Sequence, residues 1–320
     1  MPGILYLAAA IKTSQLTKDN FNVKTRHYNT TVQSFNEIAE DILAFSPDCI
    51  GFSCYCWNLS YYKKLARYVK KKIPVVKMIF GGPEIIIKNK VECESFFKEY
   101  PEADLIVLGE AEEKIPSLIN ALCDQYYDQI SNLSGYSFNP SIANYSCIDS
   151  QEITVLNDIP SIYPYPIQVK RSDACGIHIV YECSRGCPNR CIYCQFIRWR
   201  KKQEIFPCEK IKRELRWLLD QEVEGIHFAD AVFDKDPDIA GRILAFINTH
   251  NRRSTLLFYC SFATLTDKLV DLFEKTQCQI GVGVQTTNRN VLKIVKRAYF
   301  KRLFGDAVNF LRNRSVNFYI

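Results

Sequence analysis

Cys187, Cys191 and Cys194 stand in the run Ser184-Arg-Gly-Cys-Pro-Asn-Arg-Cys-Ile-Tyr-Cys. A C-x3-C-x2-C spacing lets one loop bring three thiolates to a face of an iron-sulfur cluster, and it leaves a fourth iron without a protein ligand. That iron is an open position for a substrate or cofactor. Other chemistries also use closely spaced cysteines. Structural zinc takes four ligands, usually as two separated pairs. His178 and Cys183 could complete such a site, but no second close pair follows downstream. A disulfide framework belongs to small secreted chains, whereas here 14 cysteines are spread over 320 residues with no secretory leader. The iron-sulfur reading fits the pattern best.

A loop of this kind needs a scaffold, and the sequence supplies two stretches of strand-helix rhythm. In the first, strands are expected at Phe21 to Tyr28, Asp48 to Tyr55, Val75 to Phe80 and Asp104 to Leu108, with helices at Val32 to Phe45, Ser60 to Lys72 and Val91 to Tyr100. Cys49-Ile-Gly-Phe-Ser and Val76-Lys-Met-Ile-Phe-Gly-Gly are apolar without strict alternation, as parallel strands covered on both faces should be. The succession implies a doubly wound, Rossmann-like α/β domain over residues 1–123, with ligands at the carboxyl ends of its strands. Residues 124–174, rich in Asn, Ser, Tyr and Pro, are expected to be a connector, because Pro160, Pro164 and Pro166 forbid a helix there. From Gly176 the rhythm resumes. Strands at Ile177 to Tyr181, Gly225 to Ala229, Leu256 to Phe262, Gln279 to Val284 and Val316 to Ile320 alternate with helices at Cys208 to Gln221, Asp238 to His250, Asp267 to Thr276 and Phe300 to Asn313. Residues 175–320 are therefore expected to form a partial TIM-like barrel whose functional residues lie at the strands' carboxyl ends.

The cysteine run resembles the cluster loop of the radical S-adenosylmethionine superfamily, with Tyr181-Glu-Cys-Ser-Arg-Gly as the strand end and glycine turn that open it. The resemblance implies a [4Fe-4S] cluster on Cys187, Cys191 and Cys194, S-adenosylmethionine chelated to the unique iron, and Tyr193 where the backbone contacts adenine. It implies a partial (β/α)6 barrel, of which about five units are legible here. Ala229-Asp230-Ala231 takes the place of the family's amine-binding segment, so Ala229 and Asp230 are expected at the cofactor and Asp230 at its amino group. A carboxylate at that strand end could equally cap the next helix. Cys260 or Ser261 falls where an acidic residue often contacts the ribose. Gly281-Val-Gly-Val-Gln-Thr-Thr-Asn with Leu292 and Arg297 matches a further family pattern. It places Gln285 and Thr286 toward the cofactor and Arg297 on its carboxylate or as a brace of the loop.

The first domain resembles the cobalamin-binding domain that precedes many of these cores. Three strand ends carry the likeness: Gly51-Phe-Ser-Cys-Tyr-Cys-Trp-Asn, Phe80-Gly-Gly-Pro-Glu and Leu108-Gly-Glu-Ala-Glu. They imply corrinoid contacts from Ser53, Tyr55, Gly81, Gly82, Gly109 and Glu110. Singly, each glycine would be read as a tight turn. The chain departs from that domain in two ways: Pro2 to Lys12 reads as its first helix with no strand in front, and D-x-H-x-x-G is absent. His27, inside the expected strand Phe21 to Tyr28, is an ordinary strand residue in this reading. A chain truncated at both ends is the expectation.

The resemblance implies reductive cleavage of S-adenosylmethionine to a 5'-deoxyadenosyl radical, with methylation of an unactivated carbon as the leading product class when cobalamin is present. Cyclisation or rearrangement without cobalamin, and a catalytically silent cluster-binding module, are the alternatives. The expected partners are a peptide or small-molecule substrate and a reductant such as flavodoxin or ferredoxin. The net charge of +6 comes from scattered lysines and arginines and gives little support to nucleic-acid binding. No apolar stretch is long enough to span a bilayer. Fourteen cysteines without a leader point to a reducing cytoplasm as the expected compartment. Phe196, Trp199, Tyr259 and Phe262 fall near the predicted barrel mouth without naming a substrate.

Overall fold

Helices α1 (Pro2–Thr13), α2 (Phe35–Phe45), α3 (Leu59–Lys72), α4 (Lys90–Glu99) and α5 (Ile115–Asp124) cover the two faces of one sheet. Its strands are β1 (Cys49–Ser53), β2 (Lys77–Gly81), β3 (Leu105–Val107), β4 (Tyr136–Phe138) and β5 (Ser146–Cys147), hydrogen-bonded in that order. These elements belong to a computed structural model that describes residues 2–124, 130–143, 146–148, 155–163, 178–194, 196, 200, 202–221, 223–251, 253–276, 278–297 and 304–320. Phe52, Met78, Phe80, Ile106 and Leu108 pack into one core cluster, while Ile79, Leu105 and Val107 pack into a second. Alternate residues of each strand thus enter opposite cores, which is why these strands are apolar throughout rather than at every second position. A Ser34–Glu37 capping box starts α2, with Ser34 Oγ accepting from the Glu37 N–H and the Glu37 carboxylate accepting from the Ser34 N–H.

Two sequence expectations fail in this unit. Residues 21–28 form no strand. Among the described residues β1 is paired only with β2, and the segment does not add to its open edge. Its polar side chains turn to α2 instead, where Arg26 and the Tyr28 hydroxyl reach Asp41 at 2.9 and 2.7 Å. His27 accordingly lies on exposed, irregular chain. The boundary expected at 123 also moves. β4 runs antiparallel to β3 and β5 to β4, so the first compact unit extends over Gly3–Pro160. Pro164 and Pro166 of the expected strap lie outside the described residues.

The second unit is built on Ser161–Ile320. Its strands β6 (His178–Tyr181), β9 (Gly225–Phe228), β10 (Thr255–Cys260), β11 (Gln279–Val282) and β12 (Asn317–Tyr319) pair in parallel, in spatial order β12-β11-β10-β9-β6. Between β6 and β9 lie a short antiparallel pair, β7 (Ser184–Arg185) and β8 (Glu204–Ile205), and then α6 (Cys208–Asp220). The later crossovers are α7 (Pro237–His250), α8 (Asp267–Thr276), α9 (Arg289–Ile294) and α10 (Phe304–Arg312). Phe228 stacks on Phe258 at 4.2 Å between ring centroids, and Phe258 meets Phe233 and Phe273 at 4.5 and 5.6 Å. This aromatic cluster fixes the strands against their helices and leaves the strand ends free to carry the site.

Candidate functional site

β6 ends at Tyr181, and the chain then enters a loop whose two ends are tied together by β7 and β8, with Ser184 opposite Ile205 and Arg185 opposite Glu204. Gly186 follows at φ +87°, and a Cβ there would lie 2.2 Å from the Lys202 carbonyl oxygen. Only glycine allows the outgoing and returning chains to pass this close. The three cysteines of the run sit inside this closed loop. Cys187 and Cys191 are 7% and 3% exposed and Cys194 is half-buried, so one side of the sulfur set faces outward.

Each sulfur meets an N–H or O–H donor. The Asn189 N–H donates to Cys187, and the Phe196 N–H lies 3.4 Å from Cys194 Sγ. Arg297 Nη1 lies 3.7 Å from Cys191 Sγ. Burial pushes the Cys187 thiol up, while the Asn189 N–H and the Arg297 guanidinium act in the opposite sense. Donors aimed at sulfur are the surroundings that thiolate ligands of a cluster need. Arg297 is itself held, with Nη2 donating to the Gly283 carbonyl at 3.0 Å, and a Cβ on Gly283 would come within 2.9 Å of that nitrogen. Ile192 N–H donates to the Val295 carbonyl at 3.2 Å, so the chain after β11 is tied to the cysteine loop twice. No three His, Cys, Asp or Glu side chains among the described residues converge where a single ion could sit.

Asp230 lies at the base of the cysteine loop. It is 1% exposed, and both its carboxylate oxygens accept from the Cys183 N–H, at 3.2 and 3.1 Å, while the Ser184 hydroxyl donates to Oδ1. Gln203 Nε2 continues the network to Ser184 Oγ at 2.7 Å and the Val232 carbonyl at 2.8 Å. The carboxylate is therefore turned into the base of the cysteine loop. It neither caps the next helix, whose N-cap is Asp236, nor presents a free oxygen. Asp234, four residues on, plays the parallel part for the next strand end, accepting from the Ser261 N–H at 3.0 Å and the Thr264 hydroxyl at 2.7 Å. Ser261 and Cys260 are buried there, 9% and 4% exposed, and Ser261 Oγ accepts from the Ala263 N–H at 3.3 Å.

Burial raises the carboxyls of Asp230 and Asp234 to about 6, against the pull of their hydroxyl and N–H partners. Each proton is thus held more tightly folded than unfolded. This contribution favours the folded state below about pH 4, weakens as pH rises toward 6, and is a net cost above it. Replacing Asp230 by Asn is expected to become relatively more favourable between pH 4 and 7.5, by on the order of 2 to 3 kcal/mol. Denaturant unfolding of both proteins across that range measures it; a pH-independent difference would show that the carboxyl stays ionised throughout.

The remaining expected residues are distributed as follows. Ala229, half-buried, donates its N–H to the Tyr181 carbonyl at 2.7 Å. Tyr193 is exposed, with its hydroxyl hydrogen-bonded to Cys191. Gln285 is exposed beside Gly283, and Thr286 Oγ1 accepts from the Asn288 N–H at 3.1 Å. Phe196 is exposed, Phe262 is buried, and Trp199 lies outside the described residues. Sequence reasoning missed Gln203 and Asp234; the latter's only signal was a second acidic residue in the Asp230 loop.

In the first unit, Ser53, Gly81 and Val107 stand in register at the carboxyl edge of β1, β2 and β3. Gly82 has φ +108°, and a Cβ there would lie 2.7 Å from the Cys54 nitrogen. Gly109 has φ +70°. Asn58 fixes the first loop by accepting from the Tyr55 N–H at 2.7 Å and donating to the Ser53 carbonyl at 3.1 Å. Tyr55 stacks on the exposed Trp57 at 4.6 Å. Lys114 Nζ ties the Leu108 and Ser134 carbonyls behind Gly109 and half-buried Glu110. The small residues at the edge make a backbone-lined cradle suited to a broad, flat ligand. It offers no histidine: of the chain's 4 histidines only His27 is in this unit, away from the strand ends.

Residues 2–119 match the family model described as B12 binding domain, and residues 181–318 match Radical SAM superfamily. The curated 2-(S-pantetheinyl)-carbapenam-3-carboxylate methyltransferase of Streptantibioticus cattleyicolor is 26% identical over 50% of this chain and 24% of its own length. The anaerobic magnesium-protoporphyrin IX monomethyl ester cyclase of Synechocystis is 22% identical over 77% of this chain and 49% of its own. Among solved structures, the radical S-adenosylmethionine methyltransferase TsrM from Kitasatospora setae, with tryptophan and a SAM analogue, superposes with a TM-score of 0.74 at 15% identity, covering 98% of this chain and 63% of that one. The cobalamin-dependent S-adenosylmethionine radical enzyme OxsB gives 0.68 at 16% identity, covering 98% and 46%. The chain thus spans between a quarter and half of the curated relatives named here. No helix among the described residues is long and apolar enough to cross a membrane. With a B12-binding domain followed by a radical SAM domain, the chain belongs to the cobalamin-linked radical S-adenosylmethionine family.

Proposed function

We propose that the chain is the core of a methyltransferase that acts on an unactivated carbon of a peptide or small molecule. The observation that carries this reading is the closed cysteine loop with Arg297 against Cys191, on a chain whose other domain presents a glycine-edged cradle at its strand ends. Cys187, Cys191 and Cys194 would hold a [4Fe-4S] cluster, Tyr193, Ala229, Gln285 and Thr286 would contact S-adenosylmethionine, and Ser53, Tyr55, Gly81, Gly82, Gly109 and Glu110 would contact cobalamin. Bound there, these groups supply an electron, a cleavable sulfonium and a methyl carrier.

The chain's own residues position and protect. Burial of Cys187 and Cys191 keeps water from two sulfurs, and the outward side at Cys194 is the approach for S-adenosylmethionine. Arg297 places a positive charge at Cys191, which favours the electron-rich state of a cluster held there. Asp230 acts as a positioning residue, through Cys183 and Ser184, on the base of the loop. A second reading, ring closure, is favoured by the relative that aligns over 77% of the chain, which is a cyclase.

Anaerobic reconstitution with iron, sulfide and hydroxocobalamin, then dithionite and S-adenosylmethionine, tests the proposal. 5'-Deoxyadenosine is expected, together with corrinoid that survives gel filtration. A cluster that forms without cleaving the cofactor would overturn the enzymatic reading of this chain. Cleavage without corrinoid retention would shift the assignment to the second reading.

A further inference from the structure

Positive charge is spread unevenly along this chain, and its excess gathers at the cysteine loop. Residues 186–203 and 283–297 contain nine lysines and arginines and no aspartate or glutamate, whereas the whole chain carries a net charge of only +6. The two segments meet, because the Ile192 N–H donates to the Val295 carbonyl at 3.2 Å and Arg297 Nη1 reaches Cys191 Sγ at 3.7 Å. At this junction the chain presents aliphatic side chains to water. Ile192 is 62% exposed and Ile294 69%, and Val291, one turn before Ile294 on α9, is exposed as well. Buried Leu292 points the other way and anchors the helix. Arg190, Lys293 and Lys296, all exposed, flank the three aliphatic residues in the sequence. Exposed apolar surface with a charged rim marks a site of interaction.

We propose that Ile192, Val291 and Ile294, with the cations around them, are the docking surface for a small acidic electron-carrier protein. The proposal rests on the reading of the cysteine loop as a cluster site and names that site's partner by surface and charge. Ile192 is the residue next to Cys191, so a carrier seated on it stands a few bonds from a cluster ligand, while the Cys194 side stays open to S-adenosylmethionine. In each encounter the reduced carrier loses one electron and the cluster gains it; no bond is made or broken. Opposite charge speeds the encounter and orients it. Transient redox encounters bury less than about 1,200 Å² in total, and three aliphatic side chains inside a cationic rim suit a contact of that size, which lets the carrier leave after transfer. The same cations would attract nucleic acid, but single-strand sites add aromatic platforms on which bases stack, and the centre of this patch is aliphatic.

The test uses an acidic flavodoxin as probe. Calorimetric binding of oxidised flavodoxin to the chain is expected to weaken at least about tenfold from low to physiological ionic strength. Carbodiimide cross-linking of the wild-type pair is expected to join flavodoxin carboxylates to Lys293 and Lys296. Lys293→Glu combined with Ile294→Ser should weaken binding about tenfold or more, and should lower flavodoxin-driven reduction of the reconstituted protein, relative to dithionite-driven reduction, by a similar factor. Lys71→Glu combined with Lys72→Glu changes the net charge by more, at exposed positions of α3 in the first unit, and should leave both near wild type. Cross-links confined to other lysines, or equal weakening by the α3 pair, would overturn the proposal, as would a single-stranded RNA oligonucleotide that binds more tightly and displaces flavodoxin. The wild-type cross-link map decides even if the α9 variant fails to fold. A cluster that assembles and accepts electrons from dithionite, with no flavodoxin at these lysines, would overturn the docking surface alone; a chain that assembles no cluster would overturn the reading of the cysteine loop and the electron delivery with it.

Discussion

A protein with Cys187, Cys191 and Cys194 all changed to alanine is expected to take up no iron or sulfide on anaerobic reconstitution and to form 5'-deoxyadenosine at least about a thousandfold more slowly than the parent, since the group that performs the chemistry has no ligands. Cys187 and Cys191 are buried, but alanine is smaller than cysteine and both lie on a loop, so the fold should survive and the loss should be chemical. Arg297→Gln separates ligation from tuning. It leaves the three thiols and removes the guanidinium that now touches Cys191 Sγ and the Gly283 carbonyl. A second-layer partner of a metal ligand is commonly worth roughly 10- to 100-fold in affinity or activity. The expected signature is a cluster that assembles but is reduced only at a more negative potential, because a nearby cation favours the more negatively charged, reduced form. Iron and sulfide analysis with a redox titration reads both. A triple variant that still cleaved S-adenosylmethionine would remove these cysteines from the site altogether.

The parts of this protein that were legible in the sequence are those fixed locally. The cysteine spacing and the apolar runs of β1, β2 and β3 depend on neighbours a few residues away, and Asp267–Thr276 forms the helix its pattern implies. Phe21 to Tyr28 has the composition of a strand, yet a strand exists only with a partner, and here Arg26 and Tyr28 hold the segment to Asp41 of α2 while the outer edge of β1 stays open. β4 and β5 were hidden for the converse reason. Tyr136–Phe138 and Ser146–Cys147 are too short for periodicity to register, and their assignment rests on antiparallel pairing, of β4 with β3 about thirty residues back and of β5 with β4. Asp230 was found as a residue but not as a contact. Nothing in Ala-Asp-Ala-Val indicates that the carboxylate turns inward to Cys183 and Ser184, 47 and 46 residues earlier. The link from Arg297 to Cys191 spans 106 residues, and no local pattern encodes it.

Gly186→Ala should be the most damaging single substitution in the cysteine loop that touches no ligand. Two costs add. The backbone at φ +87° lies in the left-handed region, where a side chain costs roughly 1 to 2 kcal/mol. The new Cβ would also sit 2.2 Å from the Lys202 carbonyl and 3.0 Å from Arg200 Cγ. Neither neighbour yields easily: Lys202 is backbone beside the β7–β8 pair, and Arg200, 2% exposed, is engaged with Glu204. Relief must come from opening the hairpin, which releases the base of the loop. A destabilisation of about 3 to 5 kcal/mol is expected from strain of this type together with the lost pairing, along with a sharp fall in iron bound per chain. Gly305→Ala is the matched control, since it lies in α10 with nothing within 4 Å of the added Cβ; there alanine should be neutral or stabilising by up to about 1 kcal/mol. If Gly186→Ala bound iron as well as Gly305→Ala does, the closed base would have no part in presenting Cys187, Cys191 and Cys194. Loss of iron with the hydrogen-exchange protection of β1, β2 and β3 unchanged would instead show that hairpin closure is what holds the three sulfurs together.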